Sequence, residues 1–174
     1  MTFNTTSLPL RRALRDKKLL VREAFKPRSE TQSRYLLVDP RIDGLLDGHI
    51  YKGIFPAVEA EKLIGIFSAG FLLTATRRKT ARKPDVEQIE GYDEVWALCP
   101  RKPKPGWRIL GRFHAQGVLI ALRAWDKRSL FNNYAKAAQE VIDDWNDMGL
   151  EPPHTGATVG DYLGGVVRDA DAQE

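Results

Sequence analysis

The sequence contains few of the residues that build disulfides and metal sites. Its 174 residues include one cysteine, Cys99, and three histidines, His49, His114 and His154. A single cysteine excludes an internal disulfide and any cysteine-rich metal site. Three histidines so far apart in the sequence form no metal-ligand pattern. The sequence therefore predicts a protein that uses no metal ion and no other cofactor.

Long hydrophobic runs are also missing. The longest candidate, residues 63–75 (LIGIFSAGFLLTA), is shorter than the roughly 20 apolar residues that a membrane-spanning helix needs. Residues 1–18 do not place basic residues ahead of an apolar run, so they do not resemble a signal peptide. We therefore expect a cytoplasmic protein that does not bind a membrane.

Charge is unevenly distributed along the chain. The formal net charge is +4, but residues 131–174 carry nine acidic and two basic side chains, and residues 1–130 carry a net charge of +11. A body this basic favours a polyanionic partner, of which nucleic acid is the obvious one. The alternative is a basic surface that only keeps the protein in solution.

The apolar pattern predicts a small α+β domain of a strand, one or two helices, a three-stranded antiparallel sheet and a final helix. The strand covers 49–55, and helical spacing covers 57–82, where Gly65 and Gly70 leave room for two shorter helices. The sheet strands are predicted at 93–99, 107–113 and 118–125, after which a helix carries an apolar stripe of Tyr134, Ala138, Val141, Trp145 and Met148.

The same pattern divides the chain into three parts. Residues 1–47 are interpreted as an N-terminal extension with a helix over 10–25, and residues 48–150 as the body. Residues 151–174 form an acidic, Gly-rich tail. The pattern leaves open whether the extension packs on the body or serves as an arm.

Arginines interrupt the two strands of the predicted hairpin. Alternate side chains of a strand share a face, so Arg108 and Arg112 lie on the same side. If Phe113 pairs with Val118, Arg108 lies opposite Arg123, and like charges so placed repel each other. An anion held between them would offset the repulsion. The alternative is that each arginine pairs with a carboxylate from elsewhere, such as Glu87, Glu90 or Asp126.

Further basic residues flank the hairpin. They are Arg101, Lys102 and Lys104 in the proline-rich loop before it, and Lys127 and Arg128 after it. The aromatic residues Trp107, Trp125 and Tyr134 lie among them in sequence and either stack on bases or pack in the core. The segment therefore favours a nucleic-acid interface.

The segment resembles the RelE/ParE/HigB superfamily of toxins from type II toxin–antitoxin systems. The features that carry the resemblance are Gly106-Trp107-Arg108 opening a strand, Lys127-Arg128 ending the hairpin, and Tyr134 opening the last helix. The residues WNDMGLEPPH near the C-terminal end are also similar to the YhaV branch. The resemblance covers about residues 49–150 and implies a small RelE-like fold.

The resemblance also implies a function and roles for individual residues. It implies a metal-independent endoribonuclease that cleaves mRNA by attack of the 2′-hydroxyl group. Arg108 would bind the scissile phosphate, Arg128 would stabilise its developing charge, and Tyr134 would orient groups or transfer a proton. Arg101 and Lys102 would supply the base or hold the RNA. The remaining basic residues, Lys104, Arg112, Arg123 and Lys127, would bind RNA.

The expected partners follow from the same resemblance. They are mRNA, either free or on the ribosome, and a cognate antitoxin protein. Two alternatives remain open. One is inhibition of gyrase, as in ParE-like members of the superfamily, and the other is a non-catalytic module that binds nucleic acid or protein through the same basic face.

Overall fold

The computed structural model describes residues 7–22, 34–50, 54–78 and 83–171, which contain both helices and strands. The helices of this part are α1 Leu8–Arg15, α2 Pro40–Leu46, α3 Ala57–Ser68, α4 Lys127–Leu130, α5 Tyr134–Asp147 and α6 Val159–Leu163. Its strands are β1 Leu20–Arg22, β2 Tyr35–Val38, β3 Leu73–Thr76, β4 Val86–Gln88, β5 Trp96–Leu98, β6 Trp107–Ala115, β7 Val118–Asp126 and β8 Val167–Asp169.

The strands of the described residues form one mixed sheet in the order β1-β2-β7-β6-β5-β4-β3-β8. β2 is parallel to β7, and β3 is parallel to β4 and β8, whereas the other neighbours are antiparallel. Buried residues of α2, α3 and α6 pack on one face, and those of α1, α4 and α5 pack on the other. The fold therefore has three layers, with the sheet between two layers of helices.

The predicted fold class is wrong. In place of a small RelE-like domain with a three-stranded sheet, the described residues form an eight-stranded mixed sheet. The three predicted antiparallel strands are present as β5, β6 and β7, but β1 and β2 continue the sheet on one side and β4, β3 and β8 on the other. Strands of three residues, such as β1, β4 and β8, are too short to show the alternation that identifies a strand.

The segments interpreted as extension and tail contribute to this sheet. β1 and β2 lie within residues 1–47, and β8 lies within residues 151–174. The helix predicted over 10–25 is shorter in the structure and ends at Arg15. Asp39-Pro40 starts α2, because the Asp39 side chain accepts a hydrogen bond from Arg41 N at 2.8 Å and proline suits the first helical position.

The helix predicted over 57–82 also ends early. Gly70 has φ of 71°, its N–H donates to the carbonyl of Phe67, and the N–H of Phe71 donates to that of Ile66. This pair of hydrogen bonds is a Schellman motif, which ends α3 and lets β3 begin.

The strand predicted over 49–55 is wrong for residues 49, 50, 54 and 55, and residues 51–53 lie outside the described part.

The register of the hairpin differs from the predicted one. Arg108 lies opposite Trp125 and Arg123 opposite Leu110, while Gly111 pairs with Ala121. Leu122 is therefore an extra residue in β7, and this bulge moves the pairing by one position. The two arginines do not face each other, and the prediction of an anion held between them is wrong.

Candidate functional site

The proline-rich loop 100–106 is attached to the end of the hairpin. The N–H of Trp107 donates to the Pro100 carbonyl at 2.8 Å, and the N–H of Lys127 donates to the Gly106 carbonyl at 2.9 Å. Gly106 has φ of 87°, and a Cβ at this position would lie 2.8 Å from the Pro100 oxygen, so the turn requires glycine. These contacts place the loop next to the start of α4.

Arg108 lies below this junction, on the face of the sheet that packs against α5. It is only 7% exposed, its Nε donates to the Glu87 carboxylate of β4, and its Nη1 donates to the Trp107 carbonyl at 2.9 Å. Burial opposes its charge, but the acidic surroundings, which include the Glu87 carboxylate bonded to the guanidinium, outweigh burial and raise the pKa of Arg108. The arginine is therefore held as a cation, paired with a carboxylate.

Tyr134, at the first position of α5, belongs to the same cluster. It is half-buried, and burial, followed by the charge of Glu87, raises the pKa of Tyr134 above its ordinary value. The phenol therefore keeps its proton at neutral pH. Burial likewise raises the pKa of the Cys99 thiol, which remains protonated. We call Glu87, Arg108 and Tyr134 the buried triad.

Exposed cations lie around the buried triad. They are Lys102 and Lys104 of the loop and Lys127 and Arg128 of α4, and all four side chains are exposed. We call these four residues the basic rim. Arg101 is half-buried, with its Nη2 3.7 Å from Asp85 Oδ1. The loop and α4 therefore present a predominantly positive surface that can hold a polyanion.

The structure places Arg112 and Arg123 outside this cluster. Arg112 Nη2 donates to Asp93 Oδ2 at 2.6 Å, and its guanidinium lies over the Trp145 ring at 5.5 Å. Arg123 contacts both carboxylate oxygens of Asp144 on α5, at 2.6 and 2.8 Å. These two side chains join the sheet to its surroundings, whereas the other residues predicted as a site lie together at one end of the hairpin.

Glu87 is a residue of this site for which sequence reasoning predicts no functional role. The only signal was a carboxylate within reach of the arginines, because β4 is three residues long and has no clear pattern. Its side chain is 20% exposed, so a ligand on the surface can reach it. The triad thus combines a carboxylate, a guanidinium and a protonated phenol.

The described residues contain neither a metal-binding cluster nor a membrane-spanning helix. Within them, no group of three or more His, Cys, Asp or Glu side chains is arranged to hold a metal ion. Across the same ranges, no helix has the length and apolar character needed to cross a membrane.

The chain was compared with protein-family models, with curated proteins and with solved structures. None of the three comparisons found a match.

Proposed function

We propose that this protein is a metal-independent endoribonuclease that cleaves mRNA at the buried triad. The observation that supports this most is the clustering of Arg101, Lys102, Lys104, Arg108, Lys127, Arg128 and Tyr134 at one end of the hairpin. The eight-stranded sheet excludes the RelE-like fold. The proposed activity depends on the residues of the site and not on that fold.

The triad provides the groups that the reaction needs. The Glu87 carboxylate takes the proton of a ribose 2′-hydroxyl, and the 2′-oxygen attacks the adjacent phosphorus. The bond from phosphorus to the 5′-oxygen breaks, and the Tyr134 phenol donates its proton to that oxygen. The products are a 2′,3′-cyclic phosphate and a 5′-hydroxyl end.

Cations stabilise the negative charge that develops on the phosphate. Arg128 and Lys127 reach it from the exposed side, and Arg108 contributes from below while its ion pair keeps Glu87 in place. Phosphoryl transfer depends mainly on positioning and on electrostatic stabilisation, so such a set of cations suits it. Lys102 and Lys104 bind the RNA backbone beside the cleaved bond.

An mRNA-cleaving enzyme in the cytoplasm stops growth, so the proposal includes a role as a toxin that a cognate antitoxin protein neutralises. Brief induction of the chain should stop translation before it causes DNA damage. A DNA-damage response with intact transcripts would instead support inhibition of gyrase.

Arg128→Ala tests the cleavage reaction directly. We expect it to lower kcat/KM for a short single-stranded RNA by about 100-fold, since one stabilising donor of the transition state is lost. The measurement is release of a fluorescent fragment from purified protein in the presence of EDTA. Arg168→Ala, which removes an exposed arginine of β8 at the far edge of the sheet, is the matched control.

The chemical step has its own control. RNA with a 2′-deoxyribose at the cleaved position should remain intact, and Glu87→Gln should reduce cleavage while binding persists. Equal activity of Arg128→Ala and Arg168→Ala would contradict the proposal. Arg108→Ala is a poorer test, because it leaves Glu87 without its buried partner and destabilises the fold.

A second candidate function is a module that binds RNA without cleaving it. The complete ion pair between Arg108 and Glu87 favours it, because paired groups of this kind also serve purely to join strands. In that case wild-type protein would bind RNA through the basic rim and release no fragment.

A further inference from the structure

Phe131 is an aromatic side chain exposed next to the basic rim. It is 76% exposed, in the connection between α4 and α5. Single exposed apolar residues are common on protein surfaces, so exposure alone carries no meaning. Phe131 differs from such isolated residues because exposed cations lie next to it.

The main chain at Phe131 continues the helical path of α4. Its φ of −51° and ψ of −40° are helical values. Residues three and four positions apart on a helix are neighbours, with Cβ atoms about 5–6 Å apart. Lys127 and Arg128, four and three positions earlier, therefore lie beside the ring, and both are exposed. The ring and two cations form a single surface.

Hydrogen bonds fix the backbone that carries the ring. The N–H of Phe131 donates to the Arg128 carbonyl at 3.3 Å, and the N–H of Asn133 donates to the Leu130 carbonyl at 2.8 Å. The Asn133 side chain donates to the Ser129 carbonyl at 2.7 Å, and Leu130 is fully buried below the turn. The exposed ring is thus presented by an ordered turn, which lowers the entropy cost of binding.

We propose that Phe131 stacks on a base of single-stranded RNA while Lys127 and Arg128 bind the adjacent phosphates. This inference rests on the proposed function and names the part of the site that holds the base. Every base has a face that an aromatic ring can cover, so such stacking accepts many sequences and adds affinity that does not depend on charge. Tyr134, three positions later, then brings the buried triad close to the stacked nucleotide.

The test compares Phe131→Ala with Phe71→Ala. Phe71 is also exposed, at 53%, and lies after α3 in the opposite helical layer. Binding of a fluorescent 2′-O-methyl RNA decamer, which cannot be cleaved, is measured over a range of salt concentrations. We expect Phe131→Ala to bind about tenfold more weakly with an unchanged salt slope, and Phe71→Ala to bind like wild type. Arg128→Ala should reduce the slope by about one.

The outcomes separate this inference from the proposed function. Unchanged binding by Phe131→Ala, with weaker binding by Arg128→Ala, would overturn the stacking and leave the ribonuclease proposal standing. Full affinity in Phe131→Leu would also overturn it, because leucine is apolar but cannot stack. If wild-type protein binds no RNA, both proposals fail, and Phe131 becomes a candidate contact for a protein partner.

Discussion

Arg34 shows how one cation can be buried by main-chain groups. It is 4% exposed and donates to five carbonyl oxygens, those of Phe67, Phe71, Leu163, Gly164 and Val166. Burial lowers the pKa of Arg34. Phe67 and Leu163 lie at the C-terminal ends of α3 and α6, where helix carbonyls carry partial negative charge that stabilises a cation.

The ion-pair partners of individual arginines are the part of the site that the sequence predicts least well. Glu87 is one of the carboxylates that the sequence offers as partners for the hairpin arginines, and in the structure it pairs with Arg108. Asp93 and Asp144, the partners of Arg112 and Arg123, were not foreseen. A partner depends on which elements pack together, and the sequence does not show that.

His114 should make stability depend on pH. Its side chain is 9% exposed, and its Nδ1 lies 4.0 Å from Glu151 Oε2 without a hydrogen-bond partner among the described residues. Burial lowers the pKa of His114, and the negative charge of Glu151 offsets this decrease only in part. As pH falls, His114 therefore becomes protonated in the unfolded chain before it does so in the folded protein. The free energy of unfolding should decrease as pH falls below about 6.5.

Urea unfolding between about pH 7.5 and about pH 5 measures this dependence. We expect the free energy of unfolding of wild type to decrease over this range, and that of His114→Gln to change less. Identical pH profiles for the two proteins would show that His114 titrates alike in the folded and unfolded states.

The hairpin of β6 and β7 is the element that positions most of the site. Both strands have nine residues, and the turn between them has Gly117 at φ of 72°, a left-handed conformation that favours glycine. The bulge at Leu122 was not predictable, because residues 118–122 are all apolar and no change in their pattern marks the extra residue. It places both Leu122 and Arg123 on the side of α5.

Gly111 is a position of the hairpin that leaves no room for a side chain. A Cβ there would lie 2.0 Å from the Ile120 carbonyl oxygen, which belongs to the backbone and cannot move aside. Gly111→Ala should therefore lower the free energy of unfolding by roughly 3 kcal/mol, measured by urea unfolding. In the control Gly160→Ala, the nearest atom is 3.6 Å away, so stability should be unchanged or slightly higher.

At the scale of the whole molecule, the long hairpin strands and α5 were predictable, whereas most of the short elements were not. The stripe from Tyr134 to Met148 predicted α5, which spans Tyr134–Asp147. The edge strands have three residues each, and β2 reaches its place beside β7 through a parallel pairing that links distant parts of the chain. Pairing at such distance leaves no local pattern in the sequence.

Removing residues 1–47 should prevent folding of the remainder. The deletion takes away β2, which pairs with β7 from Val118 to Ala121, and the buried residues Leu36, Val38 and Ile42. We expect residues 48–174 to lack a cooperative thermal transition in near-UV circular dichroism, measured beside the full chain. A cooperative transition in the shortened chain would show that the body is an independent unit.

The parallel pairing of β2 with β7 also has a consequence for synthesis. The ribosome makes β2 before β7, and in the finished protein both strands lie between other strands of the sheet with most of their residues buried. At about 5–20 residues per second, roughly 80 intervening residues take about 4–16 s to appear. During that time the edge of the apolar strand YLLV that pairs with β7 has no partner, although β1 is already available on its other edge, so the nascent chain offers a chaperone a strand edge that the native protein conceals.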